Sequence, residues 1–451
     1  MYKRQAFTLY KPLHEKNTQV INEIVSVQGW LYRRVAYIVI AGACILMFFF
    51  PLIFAKAQVP LWYTYGSFIV LLVSTLLGYF VNYRQIVLTA DQKEYKITLN
   101  IQGFKVIKVL LQILAISYLS NGYVYWMILE LGMSVITAIV LDKLLKKEYP
   151  WLKTISSEGG RLRKKYPEII TKTKQVFYHQ VATIVLAQTS PLIIYAYASL
   201  TLVAVYGNYM LIVTGVSLLM DALLRGINAG VGSLVAEGES KRIKDVFWEL
   251  TSLRMWLASI ACFGIYKFSH SFITLWVDGE FVLEHHAFVV LLLIAFINMT
   301  RTNDTFLAAY GLFQDVWAPL TEAGLNLVLS ILLGYFYGLI GILFGVLISM
   351  LLIVCGWKPF FLYKCGFHEG VGEYVVGYLK YVILIIISFV CISALTDHLF
   401  VLPIYSYATW GWLVFRVLSF YTLSSFLLFA IVDKSFRRWI IRIMMLFGYN
   451  K

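Results

Sequence analysis

Ionisable residues inside long apolar stretches are the residues of this sequence best suited to chemistry. Arg301 lies about half-way along such a stretch, and Asp304 follows three residues later on the same helical face. Arg416 lies within the last apolar stretch, and Arg84 lies near the end of an earlier one. A charge deep in an apolar span is costly and usually faces a cavity or a partner. Because arginine also forms bidentate bonds with phosphate oxygens, these positions predict an anion site.

Each of these arginines also has a structural interpretation. Arg301 and Asp304 could form an internal ion pair that only joins two helices. Arg84 could extend its side chain to the lipid headgroups. Arg416 belongs to a terminal pair of stretches that lies outside the internal repeat of the sequence, which weakens its candidacy.

Other polar residues in the apolar stretches are candidates for ion coupling or ligand contact. Glu130 is the deepest isolated carboxylate, and burial changes the proton affinity of a carboxyl group. Glu130 and Asp304 are therefore candidates for proton or sodium coupling, and a hydrogen-bonded structural acid is the alternative for Glu130. Asn208 and Gln188 could meet the hydroxyl groups of a ligand or bond across helices.

Several further polar residues have simpler explanations. Asp221 and Arg225, four residues apart near a span border, predict a local salt bridge. Glu322 follows a proline in the first turn of a predicted helix, where a carboxylate complements the helix N-terminus. The paired His285 and His286 belong to a solvated loop. The five cysteines stand singly and form no cluster with histidines, so the sequence predicts no metal site and no cofactor.

The elements that must position these residues are membrane helices. The chain is 60% hydrophobic and only 14% charged, whereas a soluble domain is usually about a quarter charged. Apolar runs of roughly 20 residues recur along the sequence, and this is the length of a membrane-spanning helix. The runs do not alternate in polarity as barrel strands do. The predicted fold class is therefore all-α, a polytopic membrane protein.

The hydropathy of the sequence predicts about twelve spans. They are 35–55, 61–83, 104–120, 122–142, 177–197, 200–222, 254–275, 287–312, 317–337, 338–357, 374–395 and 408–432. Basic residues concentrate in one set of loops, above all in 143–174, whereas the opposite loops 278–286 and 397–406 contain few. The positive-inside rule therefore places both termini in the cytoplasm. The net charge of +14 reflects this bias and does not indicate nucleic-acid binding.

An internal repeat organises these spans. The segments 8–36 and 233–259 align at a constant offset that pairs Glu15 with Glu237. Each predicts an amphipathic cytoplasmic helix followed by four spans. Duplicated halves are typical of transporters, whose substrate sites lie near the midplane between the halves. The predicted parts are an N-terminal lobe 1–165, a C-terminal lobe 166–370, and a helix pair with a cytoplasmic tail, 371–451. Because two spans precede only the second copy, we expect that two N-terminal spans are missing and that a full version has about fourteen.

A family resemblance is carried by AVYGNYMLIVTGVSLLMDALLRGINAGVGSLVAEGE (204–239) and AAYGLFQDVWAPLTEAGLNLVLSILL (308–333). The first half adds LYKPLHEKNTQVINEI and LTADQKEYKITLNIQ. With these stretches the sequence resembles the polysaccharide and lipid-linked oligosaccharide flippases (Wzx-like) of the multidrug/oligosaccharidyl-lipid/polysaccharide exporter superfamily. The likeness covers nearly the whole chain and consists of loose patterns without a catalytic motif.

The resemblance implies a two-lobed, pseudo-symmetric bundle that alternates between inward-open and outward-open forms in a bacterial inner membrane. It implies transport of an undecaprenyl-pyrophosphate-linked oligosaccharide repeat unit to the outer leaflet during O-antigen, exopolysaccharide or capsule synthesis. The polysaccharide polymerase and glycosyltransferase machinery would be the protein partners. The residues expected to contact the pyrophosphate and sugar are Arg301, Arg416, Arg84, Asn208 and Gln188.

The sequence is also compatible with three other functions. A flippase for lipid II would have the same architecture and a closely related substrate. A drug or cation exporter would want a cavity rich in carboxylates and poor in arginine. A membrane enzyme of polysaccharide assembly would need clustered catalytic groups in a sizeable loop, whereas the loops on the predicted outer side are only about ten residues long, so an enzyme is disfavoured.

Overall fold

The computed structural model is built of α-helices. It describes residues 9, 12–13, 15–55, 60–91, 93–167, 189–312, 317–400 and 406–446, and no β-strand occurs among them. Ten of the helices in these ranges are long and apolar enough to cross a membrane. The contacts divide the chain into two compact units, Met1–Tyr178 and His179–Lys451. The predicted all-α, polytopic class is confirmed.

The first unit is a bundle of long helices joined by short ones. Its described helices are α1 (Thr18–Phe48), α2 (Phe50–Ile53), α3 (Leu61–Phe80), α4 (Ile86–Ala90), α5 (Glu94–Tyr118), α6 (Gly122–Glu148) and α7 (Gly159–Leu162), with a 3₁₀ turn at Asn82–Gln85. The predicted amphipathic segment and the first predicted span belong to one continuous helix, α1. Gly29 lies within this helix and does not interrupt it.

The N-terminal half of α1 does not lie on a membrane surface as a separate helix. The segment that follows α6 folds against it. The Asn22 amide donates to the carbonyl of Trp151 (3.3 Å) and accepts from the Lys153 amide (3.0 Å). The Ser26 hydroxyl accepts from the amide of Ile155 at 3.0 Å. A loop lacks the backbone hydrogen bonds of a helix, and these side-chain bonds supply some of them. They hold the basic segment 149–166 against α1.

The second unit contains the remaining described helices. They are α8 (Leu200–Glu237), α9 (Ser240–Trp276), α10 (His285–Met299), α11 (Thr302–Ala309), α12 (Trp317–Met350), α13 (Lys358–Leu362), α14 (Gly372–Leu399), α15 (Tyr407–Val432) and α16 (Lys434–Leu446). Two π-helical segments, Leu351–Trp357 and Tyr363–Phe367, flank α13. The helix α8 ends at Gly238, whose left-handed φ of 78° allows the chain to turn into α9.

A sharp turn divides α12 into two antiparallel parts. The backbone of Gly338 has φ 59° and ψ −137°, a conformation that side chains disfavour. Beyond the turn the two parts pack closely, since a Cβ at Gly345 would lie 2.4 Å from the amide nitrogen of Ser330. The Ser330 hydroxyl donates to the carbonyl of Ile342 at 3.0 Å. The turn thus forms a hairpin of two spans, which the predicted spans 317–337 and 338–357 anticipate.

The last helix, α16, is docked on α9. Its Phe436 side chain is fully buried among aromatic residues of α9 and α15. Arg438 and Arg442 form ion pairs with Asp245 and Glu249 of α9. The tail therefore belongs to the packed unit and does not only cover the lipid surface.

The described helices correspond to eleven of the twelve predicted spans, because ten long helices are present and the Gly338 turn divides one of them. The remaining predicted span, 177–197, lies mostly outside the described residues. The boundary predicted between the lobes at residue 165 and the separate C-terminal part from residue 371 stay predictions. In the structure, α14 and α15 pack with α9 inside the second unit.

Candidate functional site

A break between α10 and α11 positions Arg301. The sequence predicts one span over 287–312, but the helix ends at Met299 and a new one begins at Thr302. The Thr300 hydroxyl donates to the carbonyl of Phe296 at 2.9 Å, a back-bond that competes with continued helix pairing. Arg301 precedes α11 with a non-helical backbone (φ −75°, ψ 54°). Its side chain is thus presented from a helix end rather than from the side of a span.

Arg301 and Asp304 are paired, and a second cation joins them. Arg301 Nε lies 2.8 Å from Asp304 Oδ2, and Lys358 Nζ lies 2.8 Å from Asp304 Oδ1. Arg301 Nη1 also donates to Asn298 Oδ1 at 3.3 Å. Lys358, which directly follows the predicted span 338–357, was not identified from the sequence. The only signal was a cation directly after an apolar run, before Pro359.

Arg254 is a second arginine of the site that sequence reasoning missed. It is the first residue of the predicted span 254–275, a border position where a cation ordinarily needs no explanation. In the structure α9 is continuous through this point, so Arg254 lies inside the helix and is only 6% exposed. Arg254 Nη2 donates to Thr305 Oγ1 of α11 at 3.3 Å.

These residues line a cavity of about 520 Å³ within the second unit. Helices α8, α9, α10 and α11 form its walls. Its polar lining residues are Thr214, Ser217, Asp221, Arg254, Asn298, Arg301, Asp304 and Thr305. Two arginines and two aspartates face this space. Lys358 does not line the cavity, but it forms an ion pair with Asp304 and offsets its charge. The cavity can therefore hold an anion together with hydroxyl groups, since guanidinium, amide and hydroxyl donors converge on it.

Two carboxylates near the cavity differ from their predicted roles. Asp221 lines the cavity, and the described structure does not include the side chain of Arg225, its predicted partner. Glu322 was predicted in the first turn of a helix, but α12 begins at Trp317, five residues earlier. Its side chain is buried, and it interacts electrostatically with Arg301 and Lys358. Glu322 thus belongs to one charge cluster with Arg301, Asp304 and Lys358.

Arg84 and Glu130 are not among the residues that line this cavity. Both belong to the first unit and both have partners there. Arg84 Nη2 donates to Asp142 Oδ1 at 3.0 Å. Glu130 accepts from Lys108 Nζ at 2.7 Å and from Gln112 Nε2 at 3.0 Å. These bonds agree with the alternative of a hydrogen-bonded structural acid, and they form because α5 and α6 pack as an antiparallel hairpin, which places Lys108 opposite Glu130.

Neither Arg416 nor Asn208 is among the residues that line the cavity. The guanidinium of Arg416 lies over the ring of Phe400, 4.9 Å from its centroid, a cation–π contact. Asn208 on α8 is half-buried. Gln188 lies outside the described residues. Among the residues that the structure describes, no three histidine, cysteine or acidic side chains are placed to hold a metal ion.

No family model matches the sequence, and no curated protein matches it. Among solved structures, the chain is similar to one titled "Lipid II flippase MurJ, inward closed conformation", with a TM-score of 0.61 and 13% sequence identity. The match covers 95% of this chain and 88% of that chain. At this identity the similarity concerns the fold, which is a MurJ-like polytopic helical bundle.

Proposed function

We propose that this chain is a flippase that moves an undecaprenyl-pyrophosphate-linked oligosaccharide repeat unit from the cytoplasmic to the outer leaflet by alternating access. Its product would feed surface polysaccharide synthesis in a bacterial inner membrane. The observation that carries the proposal is the polar cavity with Arg254 and Arg301 inside a MurJ-like membrane bundle.

The cavity offers the groups that a lipid-linked diphosphate needs. A pyrophosphate leaving water must regain hydrogen bonds and opposite charge, and two guanidinium groups supply both. Arg301 is 28% exposed at its side chain, so part of its guanidinium remains open to a ligand. Hydroxyl and amide groups from Thr214, Ser217 and Asn298 match sugar hydroxyls.

Lys358 supports the proposed role of Arg301 in binding the diphosphate. An aspartate beside a phosphate site repels the ligand unless another cation neutralises it. Lys358 is 12% exposed at its side chain and is bonded to Asp304, so it reduces this repulsion while Asp304 orients Arg301. In this proposal Asp304 is a positioning residue, and its predicted part in ion coupling stays a prediction, as does that of Glu130.

A lipid II flippase is the second candidate. The similarity to the structure titled as a lipid II flippase favours it, and the two substrates share the undecaprenyl diphosphate that the arginines would bind. A cation exporter fits less well, because its cavity would be rich in carboxylates and poor in arginine, whereas this cavity has as many arginines as aspartates.

Reconstitution in proteoliposomes tests the proposal. A fluorescent undecaprenyl-pyrophosphate oligosaccharide is placed in both leaflets, and its exchange is followed by a quencher that reaches only the outer leaflet. Arg301→Ala and Arg254→Ala should each slow exchange by about 10- to 100-fold, the effect of losing charge-assisted hydrogen bonds. Arg301→Lys should be intermediate, and Arg161→Ala, at an exposed site in the first unit, should match the wild type.

The outcome with a second lipid separates the two candidates. Faster exchange of lipid II than of the oligosaccharide lipid would replace the polysaccharide assignment by the lipid II assignment. Exchange that is equally fast in Arg301→Ala, Arg254→Ala and the wild type would show that this cavity does not carry the diphosphate.

A further inference from the structure

A second polar cleft lies along α9 on the N-terminal side of Arg254, at the end where α14 begins and α15 ends. Its volume is about 770 Å³. The first turns of α14, the N-terminal part of α9 and the junction between α15 and α16 form its walls. Five cations line it, Lys241, Lys244, Lys380, Lys434 and Arg438, against three carboxylates, Asp245, Glu373 and Asp433.

The carboxylates of this cleft are already neutralised. Asp433 accepts from Lys380 at 2.7 Å, and Arg438 pairs with Asp245. Lys244 pairs with Glu373. No residue in the described part of the chain forms an ion pair with Lys241 or Lys434, and both are exposed. Lys244 also pairs with Glu369, so the five cations of the cleft stand against four carboxylates and leave one positive charge in excess, which an anionic ligand would satisfy.

The floor and the outer edges of the cleft are apolar. Trp248 lies against Gly377, where an added Cβ would be only 2.2 Å from Trp248 Cη2, and it stacks on Tyr374. Along the outer surface, Val376 is 72% exposed and Ile431 is 71% exposed. They belong to α14 and α15, both of which qualify as membrane spans. A ligand in the cleft can thus contact the cations of its lining and, through Val376, the aliphatic surface of a span.

We propose that this cleft binds the headgroup of an anionic phospholipid, with its acyl chains along the exposed faces of α14 and α15. The cleft lies where the two adjacent spans end, which is the level of the headgroups. Trp248 and Tyr381 line it, and tryptophan and tyrosine favour that level. A free phosphate ion would use the lysines but not the aliphatic surface.

The site also has a structural consequence for α16. The residues that follow α15, Asp433, Lys434 and Ser435, form one wall of the cleft and lead into α16. A phospholipid held by Lys434 and Lys241 would join the start of α16 to α9. Bound lipid should therefore stabilise the second unit in addition to occupying the cleft.

Native mass spectrometry of the full chain, stripped of lipid and titrated with phosphatidylglycerol, tests the proposal. The double substitution Lys241→Gln with Lys434→Gln should weaken phosphatidylglycerol binding about 25-fold, since each cation near the surface contributes about fivefold. Lys364→Gln together with Lys153→Gln removes the same charge from exposed positions elsewhere and should leave binding unchanged. Binding equal to the wild type in the Lys241/Lys434 variant would overturn the proposal.

Two binding comparisons identify the ligand, and melting temperatures show whether it stabilises the protein. Phosphatidylcholine should bind at least tenfold more weakly than phosphatidylglycerol, and inorganic phosphate at millimolar concentration should not displace bound lipid. Equal binding of phosphatidylcholine, or displacement by phosphate, would each contradict an anionic phospholipid site. Phosphatidylglycerol should raise the melting temperature of the wild type and not that of the Lys241/Lys434 variant, and the melting temperatures of the two lipid-free proteins should agree, which shows that the variant is folded.

Discussion

At the scale of single residues, most charges that enter the apolar stretches have a partner from another part of the chain. Glu130 meets Lys108, Arg84 meets Asp142, and Asp304 meets both Arg301 and Lys358. A charge inside a bilayer is retained only when a partner or a cavity offsets the cost of removing it from water. Pairing therefore argues for a structural role, and a cavity argues for function. Arg254 and Arg301 both line a cavity, and Arg301 is also paired with Asp304, so Arg301 meets both criteria.

The Lys108–Glu130 pair is expected to stabilise the first unit. Glu130→Gln leaves Lys108 without its counter-ion and should destabilise the protein by about 3 kcal/mol, the usual cost of breaking a buried pair. Lys108→Met combined with Glu130→Gln should recover most of this loss, because no uncompensated charge remains. Thermal unfolding in detergent measures both effects. A Glu130→Gln protein that unfolds like the wild type but no longer responds to a proton or sodium gradient would instead establish an ion-coupling role.

Asp433 gives the protein a predictable acid sensitivity. Burial raises the pKa of its carboxyl group, but hydrogen bonds from Lys380, Ser252 and the Phe436 amide outweigh burial and hold the pKa below its usual value. A lowered pKa in the folded state means stability that is present above the unfolded pKa of about 3.9 and lost as pH falls through the folded value. Asp433→Asn should therefore cost about 2 kcal/mol at pH 7.

The acid dependence distinguishes this effect from a general packing defect. Melting temperatures of the wild type and Asp433→Asn are compared from pH 7 down to the lowest pH at which the protein stays soluble. The difference should begin to narrow below about pH 4, where the unfolded carboxyl takes up a proton, and should be smallest below the folded pKa, where the folded wild-type carboxyl is protonated as well. A difference that stays constant with pH would contradict the role given to the carboxylate charge.

At the scale of elements, glycines decide where helices approach or turn. Gly338 ends one span and starts the next, and Gly345 allows the two parts of α12 to touch through their backbones. Small residues at such contacts are typical of membrane helices, whose association depends on close packing. Hydropathy predicts the two spans but not how closely they pack.

Gly345→Ala is expected to destabilise the α12 hairpin. Its Cβ would lie 2.4 Å from the Ser330 nitrogen and 2.7 Å from the Leu329 carbonyl carbon, and backbone atoms cannot move aside without shifting a helix. Overpacking of this kind costs about 1–3 kcal/mol. Gly324→Ala, in the same helix with open space around its Cβ, should be neutral or stabilising by up to about 1 kcal/mol. Thermal unfolding of the two variants measures this, and equal stabilities would refute the close approach.

At the scale of the whole molecule, the two units repeat one order of elements. A long helix (α1 or α9) is followed by a span (α3 or α10), a short helix after a break (α4 or α11), and two antiparallel spans. The charged residues Arg84 and Arg301 both lie at the break. This agreement in order supports the duplication predicted from the aligned segments 8–36 and 233–259.

The predicted orientation is tested by cysteine labelling in a cysteine-free background, made by replacing all five native cysteines with serine. Glu280→Cys lies in an exposed loop poor in basic residues, and Ser157→Cys lies in the exposed basic segment. A membrane-impermeant maleimide should label Glu280→Cys in intact cells and Ser157→Cys only after permeabilisation. The reverse pattern would invert the topology, and labelling of both in intact cells would contradict the separation of the two loops by a membrane.

The sequence by itself determined the class of this protein, the position of most spans and the charge of its loops. These properties are local, because a run of about 20 apolar residues must pair its own backbone to enter lipid. The pairing of Arg301 with Asp304 was also within reach, since residues three apart lie close to each other, here across the start of α11.

Only the tertiary structure decided which charges meet. Lys358 reaches Asp304 from a helix 54 residues further along the chain (358 minus 304), and Arg254 reaches Thr305 from α9. Hydropathy and spacing do not contain these distances, because they depend on how separate helices pack. The same packing supplies Glu130 with its partner Lys108 and places Arg254, at the border of a predicted span, in the wall of a cavity.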